Sequence, residues 1–446
     1  MPDSQESERL RWSTLTAWAI VALIAAGLIV RLVLIWRVGN ASSGALTGGS
    51  DAPSYIILGH SLAAGKGFAY VGQPTALRPP LYPLLLSVLN LTLGANALLA
   101  MRMFQFFIAI LTALMCAKTV SIIGGKHAQR IAFAIALSMP TLLFFTTQIL
   151  TEALAAFLVS CFFYFAVREI KEKSRLSPLI GMGVSAGLLL LLRFNTIFIP
   201  LIMISAVLRL PITLKDIKRV AIPVAISALF VCPWLIRNLI VFHGGILYSS
   251  QTGIVAFQGA VAPSGRTQPE DQGHWREAGW WLSDIETDTP RRLQFPSEVE
   301  LNRIATRAAW KAWRGLGLRV VPLLIKKVSY FWLSSDQLFD TSGFSQKQRL
   351  LRACGVLFYL LALAFAVAGF VRLRRRERKI ANVLLLYCIL ATLLHLPATM
   401  NTRLRSPLID PLVCILAALE ISALQRSRKP AREALLSPSY TDSTAD

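Results

Sequence analysis

Charge is what this sequence has least of: Asp, Glu, Lys and Arg make up 16% of its 446 residues, against 54% hydrophobic ones. A soluble chain of that length cannot hide so much apolar surface in one or two cores, which excludes an ordinary globular enzyme. Acidic residues are the scarcer sign, 24 against 46 basic, for a net charge of +22. That excess does not mark a nucleic-acid binder, because much of it sits in short blocks between apolar runs: Lys126 with Arg130, Lys171/Lys173/Arg175, Lys215/Lys218/Arg219, and Arg372 to Lys379. Such blocks set membrane topology and meet anionic headgroups. The six cysteines (Cys116, Cys161, Cys232, Cys354, Cys388, Cys414) all fall inside apolar runs, so neither a disulfide framework nor a thiolate metal site is indicated. The five histidines are scattered without zinc spacing, and there is no Gly-rich phosphate loop, no HExxH and no GxSxG. Asp284, Glu286 and Asp288 alternate, yet the rest of a calcium loop is missing. No repeat of a solenoid's period is visible.

What the sequence does have is apolar length. Many runs reach about 18 residues, enough to cross a ~30 Å hydrocarbon core. The expected spans are Leu15–Trp36, Leu99–Ile123, Ile131–Thr147, Glu152–Val167, Leu179–Leu192, Thr196–Leu208, Val220–Phe242, Leu351–Val371, Ile380–Leu396 and Pro407–Leu424. The first follows a polar, Arg-containing start without a small-residue cleavage site close behind, and reads as a retained helix rather than a signal peptide. Leu81–Leu93 is apolar but short, a re-entrant or interfacial helix opened by Pro79-Pro80. The fold class is therefore an all-α polytopic membrane protein of about ten transmembrane helices.

With a cytoplasmic N-terminus, the basic segments 124–130, 168–175, 209–219, 372–379 and 426–432 all fall inside, as the positive-inside rule requires. The two longest polar segments, 37–80 and 243–349, then share the outer face. Within them, amphipathic helices are expected over Ala52–Ala64, Glu298–Leu318 and Val320–Leu333. In the last, Lys326 and Lys327 beside Tyr330, Phe331 and Trp332 suggest a helix lying in the headgroup plane. Residues 1–425 form the membrane domain and 426–446 a cytoplasmic tail, disordered from Ala434.

Several ionisable residues fall at the outer ends of these spans. Asp51 stands just before the Ala52 helix, with Tyr55 on the same face. An acid so near the bilayer is expected to have a raised pKa and to accept a proton near neutrality. The plain alternative is an N-cap. Arg78, before Pro79-Pro80, suits capture of a phosphate, or ordinary snorkelling to headgroups. Glu152 opens a span after Thr151, facing the outer cavity or merely complementing its helix dipole. Arg193, Arg237, Arg403 and Arg405 also sit at outer ends, where arginine should be scarce. With Arg78 they fit an anionic ligand at the outer leaflet.

Three stretches bring a resemblance. They are Asp51 and Tyr55 followed by Gly65-Lys66-Gly67-Phe68 and PTALRPPLYP, then PWLIRNLIVFHG running to the SSQTGIVAFQGAVAPSG loop, and finally NTRLRSPLIDPL. Together with Glu152 after Thr151, and Arg193 with Asn195, they resemble the GT-C glycosyltransferases of the protein O-mannosyltransferase-like clan, which includes bacterial aminoarabinose transferases. The resemblance implies transfer of a sugar from a polyprenyl phosphate to an envelope glycan, lipid or protein acceptor, on the outer face of the bacterial inner membrane. It implies Asp51 as catalytic base with Glu152 beside it. Arg78, Arg237, Arg403 and Arg405 become donor-phosphate contacts, and Tyr55, Tyr82, Arg193 and Asn195 pocket residues. Some relatives place an acid directly before the basic residue of the Pro-Pro motif, where this chain has Leu77, so no metal and no other cofactor is assigned. The rival reading is a transporter or flippase of a lipid-linked or anionic substrate, against which stand the charges at span ends rather than at the midplane.

Overall fold

A computed structural model describes residues 4–41, 51–70, 72–172, 175–208, 211–261, 297–336 and 345–436, with side chains from Ala17 to Ser427. The expectations for Asp284, Glu286, Asp288, Lys173 and Arg209, and for the tail beyond Leu436, lie outside those residues.

The chain opens with α1 (Ser4–Val38), then a first polar unit. This unit contains α2 (Ala52–Ala63) and a two-residue antiparallel ribbon, β1 (Ala69–Tyr70) with β2 (Gln73–Pro74), pairing Ala69 with Pro74. Pro79-Pro80 ends it and α3 (Leu81–Leu93) follows, over the residues read from the sequence. Next come α4 (Ala97–Ser138), α5 (Pro140–Thr146), α6 (Glu152–Glu172), α7 (Ser177–Leu192), α8 (Ile199–Val207) and α9 (Leu214–Val241). A second polar unit holds α10 (Thr252–Val261), α11 (Glu298–Gly315) and α12 (Val320–Leu333). The last three helices are α13 (Gln346–Arg376), α14 (Arg378–His395) and α15 (Thr402–Leu436).

All ten expected spans are helical, but the helices divide them differently. Among the described residues, seven helical stretches are long and apolar enough to cross a membrane. Leu99–Ile123 and the first half of Ile131–Thr147 both lie within α4, which is broken between them at Gly125, where φ +82° and ψ −179° are non-helical and exclude a side chain. Pro140 then breaks the helix and starts α5. Two spans, α7 and the Phe194–Val207 stretch, are shorter than a crossing helix. At the polar starts, sequence-local capping boxes fix the register: Thr213 with Asp216 at α9 and Ser345 with Gln348 at α13.

The core lies around α6 and α15, whose apolar windows are 67% and 83% buried, while α1 presents a lipid-facing surface at 17%. Small residues allow this: Ala153, Ala155, Ala156 and Ser160 on α6 and Ala417 and Ala418 on α15 are all buried. The basic segments gather at one end of the bundle. Arg219 pairs with Glu169 at 2.8 Å, Arg372 with Glu420 at 2.7 Å and Lys171 with Glu377, while Arg426 donates to the Gly124 carbonyl at 2.7 Å. The two polar units meet at the other end, where Glu298 of α11 accepts from Thr75 Oγ1 at 2.6 Å and from the Ala76 amide at 2.9 Å.

Two expectations are corrected. Lys327 is not a headgroup residue: it is fully buried, and Nζ donates to the carbonyls of Gly259 (2.8 Å) and Leu396 (2.5 Å). Of the two lysines only Lys326 is exposed, because α12 packs on α15 with the Lys327 side facing inward. Residues 426–436, assigned to a tail and to disorder from Ala434, continue α15 as helix to Leu436.

Candidate functional site

Asp51 occupies the N-cap position of α2, but its side chain makes no capping hydrogen bond. Its carboxylate turns instead to two arginines. Arg78 Nη2 donates to Oδ1 at 2.5 Å, and Arg403 Nη2 donates to Oδ2 at 2.6 Å. The N-cap alternative is thus not realised, and neither is free snorkelling by Arg78, whose side chain is only 12% exposed. The Asp51 side chain itself remains 33% exposed, at the open edge of the site.

Local folding explains how these groups meet. The Pro79-Pro80 start of α3 turns Arg78 back over α2, where its Nε donates to Ser54 Oγ at 2.9 Å and its guanidinium stacks 5.1 Å from the Tyr55 ring. Tyr55 meets Tyr82 edge-on at 5.0 Å, and Tyr82 donates to Gln105 at 2.8 Å, which anchors this wall to α4. From the second polar unit Gln251 accepts from Arg78 Nη1 at 3.1 Å. Arg403 arrives from the first turn of α15. The preceding turn is pressed against α10 so closely that a Cβ at Gly259 would lie 2.1 Å from the Pro397 carbonyl.

Arg403 also carries the network inward, its Nε donating to Glu152 Oε1 at 2.7 Å. Glu152 is 1% exposed and lies 3.4 Å from Arg193 Nη1, which donates to Thr151 Oγ1 at 3.1 Å. Arg193 Nε donates to Asn195 Oδ1 at 3.3 Å, and Asn195 Nδ2 meets His395 Nε2 at 2.8 Å. His395 Nδ1 lies 2.6 Å from the Ala391 carbonyl. A neutral imidazole with its proton on Nδ1 satisfies both contacts. The result is a continuous alternation, Arg78–Asp51–Arg403–Glu152–Arg193, ending in Asn195 and His395, with one positive charge in excess.

Seven of the ten expected site residues, Asp51, Tyr55, Arg78, Glu152, Arg193, Asn195 and Arg403, join directly in this network, and Tyr82 packs on Tyr55. Arg237 and Arg405 are not brought to it. Arg237 sits among the rings of Phe68, Trp234 and Phe242 and donates to the carbonyls of Thr75 (2.7 Å) and Phe68 (3.1 Å), bracing the loop that leads to Arg78. Arg405 is fully buried against Asp410 (3.0 Å) and the Tyr359 ring (3.5 Å), an internal ion pair. Sequence reasoning missed Ser54, Gln251 and His395. Gln251 lies within the SSQTG stretch, but nothing local distinguishes His395.

The expected raised pKa of Asp51 is also corrected. Burial pushes it up, but the guanidiniums of Arg78 and Arg403 more than offset that and hold the carboxyl well below its usual range. Asp51 is therefore ionised and a poor base while both arginines are on it.

No protein-family model matches the sequence, and no curated protein matches it. Solved structures do. The oligosaccharyltransferase AglB from Archaeoglobus fulgidus, in complex with an inhibitory peptide and a dolichol-phosphate, shares 15% identity over 96% of this chain and 53% of its own, with TM-score 0.55. The chain has the fold of the GT-C glycosyltransferases. The chain spans about half the length of the oligosaccharyltransferase structures it matches. The same enzyme in complex with zinc and sulfate matches at 14% identity over 93% of this chain and 50% of its own, TM-score 0.53. ArnT from Cupriavidus metallidurans bound to undecaprenyl phosphate aligns over 94% of this chain and 80% of its own, at 14% identity and TM-score 0.40.

Proposed function

We propose that the protein is a membrane glycosyltransferase that moves a sugar from a polyprenyl-phosphate donor to an acceptor at the Asp51 end of the bundle, with inversion. The observation that carries this is Asp51: a partly exposed carboxylate clamped between two arginines, on the GT-C fold. The dolichol-phosphate of the AglB complex supports a lipid-phosphate donor. The basic blocks gathered at the opposite end support a cytoplasmic location for that end, and so an outer-face site in a bacterial plasma membrane.

In this reading Arg78 and Arg403 hold the donor phosphate, and the buried Tyr55 and Tyr82 back Arg78 from behind. Asp51 takes the acceptor's hydroxyl or amine proton as the acceptor attacks the anomeric carbon. The bond from that carbon to the phosphate oxygen breaks, its electron pair leaves with the polyprenyl phosphate, and the arginines neutralise the charge developing there. The donor phosphate competes with Asp51 for the same guanidiniums, so the carboxylate becomes basic when donor is bound. Glu152, buried and away from the open edge, holds Arg403 in place rather than touching the acceptor. Arg237 braces the Arg78 loop, and Arg405 supports the bundle.

The zinc of the AglB complex tests whether a metal fits. Among the described residues no group of three or more His, Cys, Asp or Glu could hold one, and three of the four carboxylate oxygens of Asp51 and Glu152 already accept from arginine. The residues present do not fit a metal, and no step is routed through one.

The test is transfer from radiolabelled polyprenyl-phosphate sugars to a membrane extract, by the purified protein in nanodiscs. Label should reach a new product with wild type and fall by roughly 10²–10⁴ with Asp51→Asn. No transfer from any donor, beside an active control enzyme, refutes the reading.

A further inference from the structure

We propose that Arg403 is a built-in cation that takes the place of a divalent metal between Asp51 and Glu152, and that removing its guanidinium turns the site into a metal site. The claim that catalysis itself runs without metal rests on the glycosyltransferase reading; the claim about what binds between the carboxylates does not.

The two acids come from different parts of the chain, the α2 N-terminus and the α6 N-terminus, and are brought together only through Arg403. Its Nη2 lies 2.6 Å from Asp51 Oδ2 and its Nε 2.7 Å from Glu152 Oε1. A planar guanidinium presents fixed donors in one fork, and here the fork is shared between two carboxylates rather than spent on one. Arg78 takes the remaining Asp51 oxygen at 2.5 Å. That leaves Glu152 Oε2, which is buried without a hydrogen-bond partner.

A hard divalent cation needs about six oxygen ligands and tolerates waters for some of them. One inaccessible carboxylate oxygen flanked by guanidiniums cannot start such a shell, and the cluster's excess positive charge repels a cation. Without the Arg403 guanidinium the balance reverses. Asp51 Oδ2 is freed, and Glu152 Oε1 keeps only the longer 3.4 Å contact to Arg193, while Oε2 is already without a partner. The cluster's net charge falls to zero, and the vacated space admits water to complete a shell. Leu77 fits this account: an acid beside Arg78 would add a metal ligand to a site whose cation is already supplied by the chain.

Mn²⁺ binding to the full chain in nanodiscs, read by electron paramagnetic resonance, tests this independently of activity. Wild type should bind no Mn²⁺ beyond what Asp51→Asn binds. Arg403→Ala should bind one equivalent, lost again in the Arg403→Ala/Asp51→Asn double variant. Arg403→Gln, which keeps most of the side-chain volume, serves if the alanine variant does not fold, and should gain the same signal. Wild-type Mn²⁺ binding that Asp51→Asn abolishes overturns the proposal, as does a folded Arg403 variant that gains none. In parallel, wild-type sugar transfer should be unchanged by a chelator, and its loss with rescue by Mn²⁺ would also overturn it. Absence of any transfer with the Mn²⁺ results intact would instead count against the glycosyltransferase reading alone.

Discussion

Lys327 offers a sharp test of how the second polar unit is held on the bundle. Its ammonium is fully buried, donates to two carbonyls from different elements, and lies 4.7 Å from the Trp313 ring. Burial is what pulls its pKa down to about 7, against an ordinary value of about 10.4. The folded state thus holds this proton less tightly than the unfolded state does. Stability must rise with pH wherever the unfolded chain binds the extra proton, here from about pH 7 to about pH 10. The slope is about 1.4 kcal/mol per pH unit for one full proton, so raising pH from 7.5 to 9 contributes on the order of 2 kcal/mol, an upper figure because water penetration softens such shifts. Lys327→Met removes this titration, and it strands the Gly259 and Leu396 carbonyls at roughly 1–3 kcal/mol each. The assay is the apparent melting temperature in nanodiscs from pH 6.5 to 9 for both proteins. Wild type should gain on the variant steadily as pH rises. Parallel curves would refute the argument, whatever their vertical offset.

Three further outcomes follow from the same geometry. Arg78→Gln should lower kcat/KM for the donor by roughly 10- to 100-fold, the value of a charge-assisted contact, and an unchanged donor KM and kcat would remove Arg78 from the phosphate site. Because both arginines hold Asp51 ionised below the usual carboxylate range of about 3.9, kcat/KM, which reports the free enzyme, should stay flat as pH falls from 7 to 5; an acid limb centred near 6 would contradict the clamp. Arg405→Ala should destabilise the protein by roughly 3–5 kcal/mol by stranding buried Asp410, while Arg405→Met with Asp410→Leu should recover most of it. A donor KM that rises in the well-folded double variant would return Arg405 to the binding site.

Apolar periodicity and length made most of the fold legible, because a bilayer-spanning helix must satisfy its backbone internally and the run of side chains records that. Leu81–Leu93 and Val320–Leu333 came out with the same bounds in sequence and structure. Gly125 reads as a loop glycine between two spans, and the structure gives it non-helical φ and ψ there. What periodicity could not register was the early break at Pro140, which ends α4 at Ser138. The site was legible in its membership and less so in its pairing. Scarce charges at span ends pointed to Asp51, Arg78, Glu152, Arg193 and Arg403. Arg403 and Arg405, however, are two residues apart and therefore point to different sides of α15, and only the packing of α15 decides which one faces Asp51. The raised pKa expected for Asp51 failed for a related reason. Depth alone suggested desolvation, and the offsetting arginines come from positions 27 and 352 residues away.

The short helices α7 and α8 bear on the lipid as well as on the protein. At 16 and 9 residues they reach roughly 24 and 14 Å, against a hydrocarbon layer of about 30 Å. A bilayer meets such mismatch by thinning or by drawing flanking polar groups inward. The turn between these helices carries Arg193 and Asn195, so the network's inner end marks where the hydrophobic barrier is lowest. A lipid phosphate approaching from that side crosses less hydrocarbon than anywhere along the long helices. On the proposed reading, the protein's shape makes part of the donor's approach path in the surrounding membrane rather than in its own cavity.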